Sequence, residues 1–269
     1  MYGDFMKLNN FEFKKKFGQN FLTNDTIPNK IVSSSNIKED SLVIEIGPGA
    51  GALTKILATK AKQVLAYEID TSLEDILAEN LLGYNNVEII FDDFLNRDVS
   101  QDIKKYDYKY LYVIANLPYY ITTPIITKFI YDEIDVERIV IMVQKEVGER
   151  FSAKPKTKDY GSITVFLNYY FDIKKLFNVS RNCFMPKPNV DSVIIALDKK
   201  YKRKKLNNKE LFFRLVRDSF QFKRKTLRNN LKKYDLQKIE EVLLKYNFTL
   251  NTRAEELPIE AFIDISNNL

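Results

Sequence analysis

The chain has 269 residues and 45% hydrophobic content, enough for one sizeable core and a smaller second unit. Its net charge is +6, with one cysteine and no histidine. Those two counts exclude a disulfide framework, an imidazole proton shuttle, Ser-His or Cys-His nucleophile pairs, His-ligated metals and the usual zinc sites.

The start, Met1-Tyr2-Gly3-Asp4, has no basic segment feeding an apolar core, so no signal pattern is read there. The longest apolar runs, such as 139–143, are far too short to span a bilayer. The expectation is a soluble cytoplasmic protein, a monomer, with no membrane or metal partner.

Residues 1–40 read as polar and helical in parts, and include Phe17-Gly18-Gln19-Asn20-Phe21-Leu22. Strand and helix patterns then alternate. Strands are predicted at 41–46, 63–68, 87–91, 111–115 and 138–144, with helices at 52–61, 72–82 and 124–131. This alternation predicts a mostly parallel sheet with helices on both faces. Residues 163–170 and 192–197 read as further strands. The second is fed by Phe184-Met185-Pro186-Lys187-Pro188, extended because each proline restricts its neighbour.

After Asp198 the character changes, and two domains are expected, 1–198 and 199–269. Residues 199–233 hold 15 Lys/Arg and 2 Asp/Glu, a local charge of +13 that leaves −7 for the rest of the chain. Such a concentration is the footprint of a polyanion partner. Leu211, Phe212, Leu215, Val216, Phe220 and Leu227 recur at roughly helical spacing and predict a helix over 210–231. Arg214, Arg217, Arg224 and Arg228 fall on another stripe and, with Lys225, are candidate phosphate contacts. Shorter helices are predicted over 236–246 and from Pro258 onward.

Two motifs carry the chemistry. Gly47-Pro48-Gly49-Ala50-Gly51-Ala52 lies between the first strand and the first helix, where glycines allow a tight turn and close approach of a ligand. Glu68, 21 residues after Gly47, ends the second strand, where an acid can accept from ribose hydroxyls. Asp93, past the third strand, is placed to read an adenine amine. This pattern alone fits NAD as well as S-adenosyl-L-methionine. A dehydrogenase needs a proton donor or acceptor, often His, near its nicotinamide. A methyltransferase needs none.

The second motif is Asn116-Leu117-Pro118-Tyr119, at the carboxyl end of the fourth strand, the edge where open α/β sheets bind ligands. The Asn116 side-chain oxygen and the Pro118 carbonyl suit the two N–H bonds of a nucleobase amine. Tyr119 is expected to stack on one face of the base and Phe184 to cover the other.

Taken together and in order, these motifs resemble the KsgA/RsmA family of small-subunit ribosomal RNA adenine dimethyltransferases. The match includes Phe17–Leu22, Glu45–Ala52, Asn116–Tyr119 with Ile121-Thr122-Thr123-Pro124, and Gln144-Lys145-Glu146-Val147. It continues through Phe184–Pro188, Arg224-Lys225-Thr226-Leu227-Arg228-Asn229-Asn230-Leu231 and Arg253-Ala254-Glu255-Glu256-Leu257. The resemblance implies a Rossmann-like S-adenosylmethionine-dependent domain followed by a small helical, rRNA-binding domain. It implies that Asn20 and Leu22 hold the methionine end of the cofactor, Gly47 and Gly49 the loop, Glu68 the ribose and Asp93 the adenine, with Asn116 between cofactor and target. It also implies dimethylation of two adjacent adenosines in the 3′-terminal hairpin of 16S rRNA, within the small ribosomal subunit. Asp92 departs from the glycine many members carry there, which bears on that turn. The alternatives are an Erm-type enzyme acting on 23S rRNA and a non-catalytic RNA-binding assembly factor on the same scaffold.

Overall fold

The computed structural model describes residues 21–24, 26–117 and 121–269. The chain divides into two compact units, Met1–Gly148 with Lys174–Lys199, and Glu149–Ile173 with Lys200–Leu269.

In the first unit, β1 (Phe21–Leu22), α1 (Thr26–Ser34), β2 (Ser41–Ile46), α2 (Ala52–Ala58), β3 (Gln63–Glu68), α3 (Glu74–Asn80) and β4 (Val87–Phe91) follow in turn. Then come α4 (Val99–Ile103), β5 (Tyr110–Asn116), α5 (Thr122–Tyr131), β6 (Arg138–Gln144) and α6 (Lys145–Phe151). β7 (Phe171–Val179), β8 (Phe184–Met185) and β9 (Ser192–Lys199) complete the strands. Seven of them form one sheet in the order β4-β3-β2-β5-β6-β9-β7. The β2–β3, β3–β4, β2–β5 and β5–β6 pairs are parallel, and β9 runs antiparallel to β6.

All six residues of β2 are buried, as a strand covered on both faces requires. One face carries Ile31 and Val32 of α1 and Leu53, Leu57 and Ala58 of α2 against Val43, Val64, Ile114 and Val140. On the other, Tyr67 meets Phe94 edge-on at 5.1 Å between ring centroids, and Phe94 meets Phe129 of α5 at 5.4 Å. This is the expected Rossmann-like sheet.

The second unit is helical: α7 (Ser162–Tyr170), α8 (Lys209–Ser219), α9 (Leu227–Asn230), α10 (Leu236–Leu244) and α11 (Ile259–Asn268). Three expectations need correction. Residues 163–170 are helix α7, not a strand. Their β-branched and aromatic residues favour extended chain, but packing overrides them: Phe166 meets Phe213 at 4.9 Å and Tyr169 meets Phe212 at 5.5 Å. Thr164 helps at the start, accepting from the Gly161 N–H at 3.2 Å and donating to the Arg150 carbonyl at 2.8 Å.

The helix expected over 210–231 breaks after Ser219, because Asn230 Nδ2 donates to the Ser219 carbonyl at 2.7 Å and folds the chain into a turn. The arginine stripe is therefore divided among α8, the turn and α9. The domain boundary expected after Asp198 lies one residue before the break after Lys199, but it misses Glu149–Ile173. Those residues join the second unit because α7 packs its aromatic face against α8.

Candidate functional site

Strands β4, β3, β2 and β5 end side by side, and the order reverses between β2 and β5. At such a switch point the connections leave in opposite directions and open a crevice beyond the carboxyl ends. Gly47 follows β2, Glu68 ends β3, Asp93 lies two residues past β4 and Asn116 ends β5. Register brings Ile46 beside both Tyr67 and Ala115. A Cβ built on Gly47 would meet the Asn116 carbonyl oxygen at 4.0 Å, among the described residues. Gly47, Gly49, Glu68 and Asn116 are thus assembled at one sheet edge.

The glycine loop needs its glycines for their backbone: Gly47, Gly49 and Gly51 have φ of 73°, 60° and 83°. The Gly47 N–H donates to the Tyr67 carbonyl at 2.9 Å, and the Gly49 N–H to Glu68 Oε2 at 3.0 Å. Glu68 Oε1 accepts from the Asp70 N–H at 2.9 Å. Asn80 of α3 donates to the Ala50 carbonyl at 3.1 Å and receives Lys55 Nζ at 3.1 Å, which fixes the loop from the other side. Glu68 is 4% exposed, and burial pushes its pKa up against the opposing amide donors.

Asp93 caps the short turn Phe94–Asn96, with Oδ1 accepting from the Leu95 N–H at 2.9 Å. Asp92, the residue that departs from the family pattern, has a job in the same turn. Its Oδ1 accepts from the Asp93 N–H at 2.8 Å, and Arg97 reaches its Oδ2 at 3.3 Å. Arg97 also grips Asp102 in a two-pronged pair, and Asp102 accepts from the Tyr67 hydroxyl at 3.1 Å. This clamp ties the loop after β4 to β3.

Glu45 on β2 is 1% exposed, and its Oε2 and the Thr54 Oγ1 have no hydrogen-bond partner among the described residues. Burial first, then the nearby Glu68 charge, hold its carboxyl up at about 8.

Leu22 pairs with Phe184 across the β1–β8 ribbon, and the Thr23 N–H donates to the Cys183 carbonyl at 2.9 Å. Phe184 is 5% exposed and packs in the same core cluster as Ile31 and Val32. In this structure it also anchors the ribbon through its pairing with Leu22. Asn20, Pro118 and Tyr119 lie outside the described residues.

In the second unit the five candidate RNA contacts are all exposed: Arg214 and Arg217 on α8, Arg224 and Lys225 in the turn, and Arg228 on α9. Sequence reasoning missed Asp70, Arg97 and Glu45. Asp70 had a signal, an Asp two residues before Ser72, whose N–H and hydroxyl it accepts at 3.2 and 2.6 Å. The Arg97 clamp had none, since its partners are set by the fold.

No helix among the described residues is long and apolar enough to cross a membrane. Residues 10–269 match the family described as ribosomal RNA adenine dimethylase. Two relatives bear the name Ribosomal RNA small subunit methyltransferase A. The one from Anoxybacillus flavithermus is 45% identical over 268 residues, covering 96% of this chain and 91% of the relative. The one from Clostridium acetobutylicum is 41% identical over 263 residues, covering 97% and 95%. Among solved structures, a dimethyladenosine transferase from Plasmodium falciparum superposes with a TM-score of 0.75 at 29% identity, covering 91% of this chain and 95% of its own. The 23S rRNA methyltransferase ErmE gives 0.72 at 26%, covering 93% and 99%. With the glycine loop, Glu68 and Asn116 gathered at the switch point, and a family match over residues 10–269, this chain belongs to the ribosomal RNA adenine dimethylase family.

Proposed function

We propose that this enzyme uses S-adenosyl-L-methionine to dimethylate N6 of two adjacent adenosines in the 3′-terminal hairpin of 16S rRNA, acting on a small-subunit assembly intermediate in the cytoplasm. The observation that carries the reading is the adjacency of Gly47 and Asn116 at the β2–β5 switch point, with Glu68 tied into the same loop. The full-length relatives named for the small subunit support that substrate over 23S rRNA.

The residues present fit the cofactor. Gly47 takes a φ of 73° beside the Asn116 carbonyl oxygen, a backbone that a side chain there would strain. Glu68 is buried with its charged form disfavoured, so hydroxyl donors from a ribose would stabilise it. Asp93 keeps its cap through Oδ1, and its other oxygen is assigned to the adenine amine. Leu22 and Asn20 are assigned to the methionine end.

When bound, the cofactor supplies a methyl group on a positively charged sulfur. The chain's own task is to aim the acceptor. The N6 lone pair of adenine is delocalised into the ring, so the amine is a poor nucleophile. Asn116 Oδ1 and the Pro118 carbonyl accept its N–H bonds and draw the nitrogen toward tetrahedral geometry. Tyr119 stacks on the base. Alkylation makes the amine acidic, and its proton leaves to water, so no histidine or metal is required. Positioning of this kind carries large effective molarities. The target adenosines are splayed from their hairpin to reach the site. The exposed arginines of the second unit hold phosphates.

Mass mapping of unmodified small and large subunits incubated with protein and cofactor tests the proposal. Two adjacent dimethyladenosines near the 3′ end of 16S rRNA are expected. Methylation confined to 23S rRNA would replace this reading with the Erm type, and none on either subunit with the non-catalytic one.

A further inference from the structure

The turn between α8 and α9 displays an open aromatic ring. Phe222 is 57% exposed, whereas Phe220, two residues earlier, packs against Tyr160 at 6.0 Å and Phe262 at 5.8 Å. A single exposed phenylalanine is ordinary on a protein surface. This one is held in place by a dedicated device. Asn230, 6% exposed, receives the Phe222 N–H on Oδ1 at 3.3 Å and donates Nδ2 to the Phe222 carbonyl at 3.3 Å. The Lys225 N–H donates to the same carbonyl at 2.9 Å. The backbone on both sides of the ring is therefore pinned while the ring points out.

The neighbouring chain is mostly cationic, with Asp159, Asp218 and Asp235 at its margins. Lys223, Arg224 and Lys225 follow directly and are exposed. Lys223 Nζ donates to the Lys158 carbonyl at 2.7 Å, which draws in a second basic loop carrying exposed Lys154, Lys156 and Lys158. Neither 152–158 nor 219–234 contains an acidic residue. A fixed, solvent-facing ring set among lysines and arginines matches a ligand that alternates flat bases with phosphates.

We propose that Phe222 is a base-stacking residue, receiving an unpaired RNA base while the flanking Arg224, Lys225 and the 154–158 lysines hold the adjoining phosphates. The proposal rests on the rRNA-substrate reading and adds to the phosphate contacts assigned to the arginines a stacking contact with a base. Stacking is indifferent to salt, and phosphate contacts are not. The two kinds of residue therefore separate in a salt series.

The test measures binding of unmethylated small subunits by wild type, Phe222→Ala, Phe222→Tyr and Arg224→Ala across a range of salt. Phe222→Ala is expected to weaken binding about five- to a hundredfold with an unchanged salt slope. Phe222→Tyr stays within about threefold of wild type, because its ring still stacks. Arg224→Ala lowers the slope by about 1. Because Phe222 is exposed, melting curves of the variants should superimpose on wild type and exclude misfolding. Binding by Phe222→Ala indistinguishable from wild type, in a protein that itself binds with steep salt dependence, overturns the stacking role alone. Absence of salt-dependent binding by wild type overturns the rRNA reading beneath it. Phe222-dependent adhesion to phosphatidylglycerol vesicles, with small-subunit affinity unaffected, assigns the patch to a membrane surface and also overturns the proposal.

Discussion

The Gly49 amide donates to Glu68 Oε2 at 3.0 Å, so the carboxylate assigned to the ribose also closes the glycine loop. With the Asp70 amide on Oε1, the side chain serves two backbone donors before any ligand arrives. Glu68→Gln replaces one acceptor oxygen by an NH2 that faces an amide donor. Loss of that bond costs roughly 1–3 kcal/mol, offset in part because burial already disfavours the charge. Donor affinity should fall at least about tenfold, from the lost charge-assisted bond. Thermal melts and titration calorimetry with S-adenosylmethionine separate the two effects. A variant that melts and binds like wild type removes Glu68 from both roles.

Glu45 gives a pH signature. Its folded-state pKa is about 8, raised by burial from 4.5. Below the unfolded value both states carry the proton and there is no differential. As pH rises from about 4.5 to 8, the unfolded state releases the proton and the folded state keeps it, so this group's contribution to stability is lost across that window. The expected slope reaches about 1.4 kcal/mol per pH unit from this group alone. Glu45→Gln should flatten that part of the profile and stabilise the protein near pH 8. Denaturant midpoints across pH provide the readout, and an unchanged slope in the variant would reassign the effect.

Gly51 is a conformational requirement rather than a ligand contact. Its φ is 83°, and a Cβ there would meet Leu77 Cδ2 at 3.3 Å. Gly51→Ala should cost about 1–2 kcal/mol from the left-handed backbone, with a further small penalty as Leu77 gives way. Chemical unfolding measures it. Stability equal to wild type would mean that the loop can refold around the new side chain.

The parallel strands were legible because their apolar runs are short, β-rich and bounded by turn signals, and because the sheet buries both of their faces. The glycine loop, Glu68 and Asn116 were legible because the topology places every strand end on one edge, so position along the chain translates into position in the site. Helix α7 was not, because its propensity points the wrong way and only contacts with α8 decide the matter. The break after Ser219 was hidden for a similar reason, as it depends on Asn230, 11 residues later, reaching back to a carbonyl. The packing of Phe184 was not legible either, because its pairing with Leu22 joins segments more than 160 residues apart.

The central claim is that Asn116 orients the acceptor amine and leaves the donor site alone, and single-turnover methylation of small subunits by Asn116→Ala tests it most directly. Binding of S-adenosylmethionine should remain within about threefold of wild type, while the rate of dimethyladenosine formation, followed by mass spectrometry, falls by at least about a hundredfold, a loss of the size expected for removing one positioned hydrogen-bonding group. Dimethylation at an undiminished rate would contradict the account.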